Sequence, residues 1–282
     1  MFSPEQRIGD YKVVQTLGVE ETGMVYLATH VVLPRQAAIK VMHASNAWLR
    51  QVAVQIIREA CILEALSHPG IPRVFECGVL PDRRPWTAFE WLDGPTLGAT
   101  LAAGPLEMAD LVVMIRDLAE VLAHAHERGV VHRRLTADAI IHTPGRKMSV
   151  SLRQWGDACT IDTQARVSVD ARDDVHALGV IAHGALTGRL PDRASSTAAR
   201  CPTAPHELTS LIDRMLAIEP TARPTSAEVR DRVGWLAETL QLVPPTSRWT
   251  PPLGVAPEVV PASVEISPAP GFAIRIGRTT TR

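Results

Sequence analysis

The chain has 282 residues, of which 46% are hydrophobic and 21% charged, and its formal net charge is −1. That balance suits one large or two modest globular domains, and it excludes a global field drawing the protein to nucleic acid or an anionic membrane. The four cysteines are far apart with no C-x-x-C pair, and no apolar run reaches about 18 residues, which argues against a disulfide framework, a zinc site and a membrane span. The opening MFSPEQRIGDYK has no apolar signal core, so the expected location is the cytoplasm.

Residues 1–9 are set apart as an N-terminal extension. From there YKVVQTL alternates up to Gly18, MVYLATHVVL resumes after Gly23, and QAAIKVM is a further short strand. NAWLRQVAVQIIREACILEALSHPG has apolar residues at three- and four-residue spacing and stops at His68-Pro69-Gly70, which predicts an amphipathic helix. PRVFECGVL and RPWTAFEWL predict two more strands joined by PDRR. After Asp93-Gly94-Pro95 the character turns helical, with LEMADLVVMIRDLAEVLAHAHERG ended by Gly129. A nearly continuous apolar helix, DDVHALGVIAHGALTG, follows, and then two amphipathic ones, PHELTSLIDRMLAIEP and SAEVRDRVGWLAETLQLV. The division is therefore a β-rich lobe over 10–93, a helical lobe over 94–242, and a Pro-rich tail over 243–282 that is expected to lack order.

Two stretches of the first lobe bear on chemistry. In LGVEETGMVY, Gly18 and Gly23 stand where a G-x-G-x-x-G-x-V loop places its first and third glycines, but the middle position is Glu20, next to Glu21. Glycines there let backbone N–H groups close over phosphates, whereas a carboxylate repels them. Alone, two glycines in a hairpin favour an ordinary turn. Lys40 in AAIK and Glu59 on the following helix can pair to aim an ammonium at phosphates. Either residue alone favours a solvated surface charge.

From Tyr11 to Leu242 the chain resembles the catalytic domain of bacterial-type serine/threonine protein kinases. The resemblance rests on LGVEETGMVYLA, AAIK, REACILEALSHPGIPRVFECG, FEWLDGPTL, HAHERGVVHRRL, DDVHALGVIAHGALTGRLP and LAIEPTARPTSAEV, in family order. It implies an α+β, two-lobe kinase fold with a nucleotide cleft under the glycine loop. Lys40 matches the phosphate-contacting lysine and Glu59 its helix partner. Leu17, Val25, Ala38 and Ile141 match the adenine walls, Phe89 the gatekeeper, and Glu90 and Leu92 the hinge. Asp174 matches the buried aspartate that holds the catalytic loop, and Leu63, Val74, His132 and Trp155 the hydrophobic stack between lobes.

The family's reactive groups are replaced. Its H-R-D-L-K-x-x-N loop reads His132-Arg133-Arg134-Leu135-Thr136-Ala137-Asp138-Ala139 here. Arg134 stands for the base and cannot accept a proton near neutral pH. Thr136 stands for the steering lysine, and Ala139 for a metal-binding asparagine. Gln154-Trp155-Gly156 stands for D-F-G, and a neutral amide is a poor ligand for a hard cation. Asp138 and Asp157, each one step from a lost ligand, are the residues that would have to take over.

Between Gly156 and Asp173 the activation segment is shortened and no A-P-E follows, leaving Arg223 without the glutamate it would pair with in the family. PDRASSTAARCPTA leaves no room for the usual substrate-docking helix. His124 and His126 lie two apart on a helix and face different ways, so they do not form a metal pair. The expectation is a pseudokinase: a regulatory or protein-binding module with weak or no ATP binding, open to ATP without a metal and not expected to use Mg. Its expected partner is a protein (a kinase, a kinase substrate or another signalling protein), not nucleic acid. An active kinase with relocated ligands and another nucleotide-dependent transferase on the same fold are the alternatives.

Overall fold

The computed structural model describes residues 1–46, 50–143, 145–160, 170–192 and 196–241. The first lobe is an antiparallel sheet of β1 (Arg7–Ile8), β2 (Tyr11–Val19), β3 (Gly23–His30), β4 (Gln36–Met42), β5 (Val74–Val79) and β6 (Pro85–Glu90). Its order is β1-β2-β3-β4-β6-β5. Inward residues Tyr11, Val13, Tyr26, Ala28, Ile39 and Trp86 pack into a small core of their own. Of YKVVQTL, Tyr11 and Val13 supply the buried face, while Lys12 and the residues from Val14 to Leu17 are exposed. Register shifts between Val13/Gln15 and Thr16/Gly18 mark bulges in β2. Such bulges increase local twist, here toward the β2–β3 tip. The N-terminal extension is not separate from this lobe. β1 pairs with β2, and Ile8 is fully buried.

Helix α1 (Arg50–Leu66) lies against the sheet and buries Ile56, Glu59, Ala60, Ile62, Leu63 and Leu66. The periodic apolar positions explain that face, except for Glu59, a carboxylate among them.

The second lobe contains α2 (Leu97–Leu101), α3 (Met108–Glu127), α4 (Arg172–Thr187), α5 (Thr197–Arg200), α6 (His206–Met215) and α7 (Ser226–Thr239). Short pairs are formed by β7 (Val130–Val131) with β10 (Cys159–Thr160) and by β8 (Ile140–His142) with β9 (Val150–Leu152). Buried residues of α3, α4, α6 and α7, among them Leu118, Leu178, Ile212 and Val233, share one core. Thr225 and Glu228 form a capping box that starts α7. Gly188, at φ +72°, ends α4 in the left-handed conformation that glycine adopts at least cost.

The segment expected to lack the docking helix contains, among its described residues, the single turn α5, capped by Ser196. Arg223 is not left unpaired. It meets Asp173 at 2.8 Å and donates to the carbonyls of Ala217 and Ile218. The first turn of α4 thus supplies the carboxylate that the missing A-P-E would have provided. Residues 161–169, the body of the shortened segment, and the tail over 243–282 lie outside the described residues. No helix among the described residues is long and apolar enough to cross a membrane.

His142 ends β8 buried, and burial lowers its imidazole to about 4. The unfolded chain, with an ordinary value of about 6.5, takes up that proton earlier. This contribution to stability is therefore complete above about pH 6.5 and is lost as pH falls toward 4. Urea unfolding at pH 7 and pH 5 is expected to show this loss, and His142→Gln to reduce it.

Candidate functional site

A cavity of about 200 Å³ opens between the lobes. Leu17, Val25, Ala38, Lys40, Glu59, Phe89, Glu90, Leu92 and Ile141 all line it. Its walls include the curled ends of β2 and β3, strand β4, and β8 beneath. Gly94 must be glycine, because a Cβ there would lie 1.9 Å from the His142 carbonyl oxygen. That close approach seats the connection between lobes directly on β8. Glu90 fixes the same connection. Its Oε1 receives Arg73 Nη2 at 3.2 Å from the upper lobe and Arg146 Nη2 at 2.9 Å from the β8–β9 turn. Burial opposes its ionisation, but the Arg73 hydrogen bonds and the Arg146 charge prevail and hold its carboxyl below the usual range.

Gly18 and Gly23, expected at the ligand, line neither this cavity nor the polar one beside it. A Cβ on Gly23 would meet the Val41 carbonyl oxygen at 2.3 Å, so its glycine is required by β3–β4 packing. A Cβ on Gly18 would meet nothing within 4 Å.

The polar end of the cleft is built around Lys40, which is only 6% exposed. Its Nζ lies 2.9 Å from Glu59 Oε2 and 2.8 Å from Glu20 Oε2. Burial disfavours the ammonium, but the two carboxylates outweigh it and raise Lys40 above the ordinary lysine value. For Glu59 burial dominates and pushes the carboxyl up despite Lys40. Gly156 abuts this pair, since a Cβ there would stand 3.3 Å from Glu59 Oε2. Gln55 Nε2 donates to the Gly156 carbonyl at 3.1 Å, tying α1 to the lower lobe.

The loop after α3 is held from below. Asp174 Oδ2 accepts from the His132 backbone N–H and Oδ1 from that of Arg133, each at 2.8 Å. His126 Nε2 lies 2.9 Å from Oδ2, and its Nδ1 is 2.9 Å from Ser226 Oγ. His124 instead meets the Leu66 carbonyl, so the two histidines do face different partners. The rings of His132 and Trp155 meet edge to face, 4.7 Å between centroids. Trp155 and Leu63 belong to the main core, and Val74 packs against it.

On that frame Arg134 Nη1 pairs with Asp157 Oδ2 at 3.0 Å. Both side chains are substantially exposed, so this pair contributes little stability and acts mainly through its charges. Thr136 is exposed and Ala139 fully buried. Gln154 sits in the left-handed region, φ 65°, and lines both cavities. Asp138 is turned away: its Oδ1 accepts from Thr96 Oγ1 at 3.4 Å and would lie 2.2 Å from a Cβ on Gly98 of α2. Among the described residues no group of three or more His, Cys, Asp or Glu is placed to hold a metal ion.

Arg153, which no motif singles out, also lines the cavity. Its Nε and Nη2 donate to the Asp138 carbonyl, and burial lowers its pKa against the charges of Glu20 and Asp138. Pro72, Trp91 and Thr96 line it as well. These are generic loop residues whose place only the fold reveals.

The family model described as protein kinase domain matches residues 11–233. The chain belongs to the protein kinase domain family. The serine/threonine-protein kinase pkn2 of Myxococcus xanthus is 27% identical over 322 aligned residues, covering 97% of this chain and 38% of that protein. Pkn1 of the same organism is 32% identical over 208 residues, covering 66% of this chain and 30% of that kinase. This kinase domain chain thus spans about a third of the length of those two relatives. Among solved structures, the PknI kinase domain of Mycobacterium tuberculosis matches with a TM-score of 0.66 at 25% identity. The match covers 86% of this chain and 100% of that one. Similarity to bacterial serine/threonine kinases and the two-lobe kinase fold are therefore established, and ATP is the nucleotide the family suggests for the cleft.

Proposed function

We propose that this chain is a pseudokinase, a regulatory or protein-binding module that performs no magnesium-dependent phosphoryl transfer. The observation that carries the reading is Arg134 at the base position, ion-paired to Asp157 at 3.0 Å. A guanidinium takes no proton near neutral pH, and here it also engages one of the two carboxylates nearest the lost metal ligands. The other, Asp138, faces α2. Phosphoryl transfer in this family relies on positioning and on neutralising charge with a metal. An apolar cavity, a half-buried Gln154 amide and the Ala139 methyl supply neither. The residues present do not fit Mg²⁺. ATP binding is weak or absent, because Lys40 is already engaged by two carboxylates. A protein is the expected class of partner, since the relatives are protein kinases by name.

Purified protein with ATP should show no magnesium-dependent rise in melting temperature, because a ligand stabilises only in proportion to its occupancy of the native state. Radiolabel from ATP should not pass to the chain itself or to a basic protein. A rise of several degrees that needs magnesium, with transfer abolished by Lys40→Ala, would replace this reading with that of an active kinase.

A further inference from the structure

Glu20 is fixed by its own backbone as well as by its charge. Its N–H donates to the Gly23 carbonyl at 2.8 Å, and its carbonyl lies 2.8 Å from His43 Nε2. The carboxylate is aimed inward to Lys40 at 2.8 Å while remaining 34% exposed. Its charge is also felt at Arg134 and Arg153, two other cations around the cleft. A carboxylate among three cations, at the tip where the family loop closes over phosphates, occupies the place of a ligand's anion. We propose that Glu20 is a tethered anion seated in the phosphate subsite, so that the cleft takes the nucleoside part of a nucleotide and excludes its phosphate chain.

The two ends of the cleft support that division. The inner cavity is walled by Leu17, Val25, Ala38, Phe89, Leu92 and Ile141, which suits a flat, uncharged heterocycle. The adjoining polar cavity is lined by the carboxylates of Glu20, Glu21 and Asp157 against the cations of Lys40 and Arg134. Three negative charges against two positive leave that end at −1, before Glu59 behind Lys40 is added. A triphosphate arriving there without a metal meets a net negative surface whose cations are already paired with carboxylates. A nucleoside, carrying no charge, meets a lining that is mainly apolar and is not repelled by those carboxylates. The inference rests on the reading that the chain transfers no phosphate, and it identifies which part of a nucleotide the cleft still accepts.

Titration calorimetry on the full chain tests it, with adenosine, ATP in EDTA, and ATP with magnesium, for the wild type and for Glu20→Gln and Glu20→Ala. Wild type should bind adenosine at least about tenfold more tightly than ATP. Either variant should gain about tenfold or more in ATP affinity in EDTA, while adenosine affinity changes by less than about twofold. The side chain is partly exposed and the substitutions remove one charge, so both variants are expected to fold, which their melting curves will confirm. Equal affinity of the wild type for ATP and adenosine would overturn the inference. So would an unchanged ATP-to-adenosine ratio in both variants, or no adenosine binding by any of the three proteins. Phosphoryl transfer by the wild type would instead refute the proposed function and leave this binding preference to stand or fall on the calorimetry.

Discussion

Asp174→Ala is expected to lower the melting temperature by about 10 °C, from a loss of about 3–5 kcal/mol. Asp174 is 1% exposed and serves three donors: the backbone N–H groups of His132 and Arg133 and the His126 ring. Removing it orphans two main-chain donors, of which the His132 N–H lies in a buried setting. A buried donor left without a partner costs its full desolvation, about 1–3 kcal/mol each. Arg133, at a left-handed φ of +67°, is one of the two residues whose backbone this aspartate restrains, so its loss frees the loop to rearrange. Asp174→Asn keeps one carbonyl oxygen and should fall roughly halfway. Stability and protease sensitivity between Val130 and Ile140 are the readouts. A melting temperature within about 2 °C of wild type for Asp174→Ala would mean that this aspartate does not hold the loop.

The frame is legible in the sequence because its causes are local and repeated. Alternation in β2 and β3, three- and four-residue spacing in α1 and α3, and glycine at helix ends each predict an element before any long-range contact is known. Leu17, Val25, Ala38, Phe89, Leu92 and Ile141, the apolar walls of the cavity, are named by the resemblance, and all but Leu92 sit on strands whose apolar runs the sequence displays. Side chains whose partners are distant in sequence are harder to place. Glu20 can be seen to repel phosphate, yet its choice of Lys40 over Arg134 depends on how the β2–β3 tip curls, which bulges decide. Asp157 and Arg134 are 23 residues apart, and their pairing depends on how the Gln154 backbone turns into the left-handed region. Arg153 carries no signal at all: one arginine beside a degenerate motif resembles any surface charge until β9 places it under the cavity. Asp173 replaces a missing glutamate from a different segment, which spacing cannot show.

Lys40→Met is expected to destabilise the protein by about 3 kcal/mol or more at pH 7.5, through the two carboxylates it leaves behind. Glu59 is as buried as Lys40, and Glu20 is turned toward the same point. In the wild type the raised lysine contributes stability that is complete below the ordinary lysine value of about 10.4 and is lost only as pH rises through its higher folded value. Across the neutral and mildly acidic range that contribution is constant. Without the ammonium, burial acts unopposed on Glu59, whose carboxyl is already pushed up. A folded-state carboxyl raised above its unfolded value takes up a proton on folding, so the variant regains stability as pH falls from about 7.5 toward about 5. The slope is opposite in sign to the one from His142. Lys40→Met combined with Glu59→Leu should recover most of the loss, because replacing a whole buried ion pair by packed apolar side chains is often neutral. Urea unfolding of the two variants at about pH 5.5 and 7.5 measures both effects. If Lys40→Met costs less than about 1 kcal/mol at both pH values, the ammonium is a solvated charge and Glu20 does not hold the polar end of the cleft.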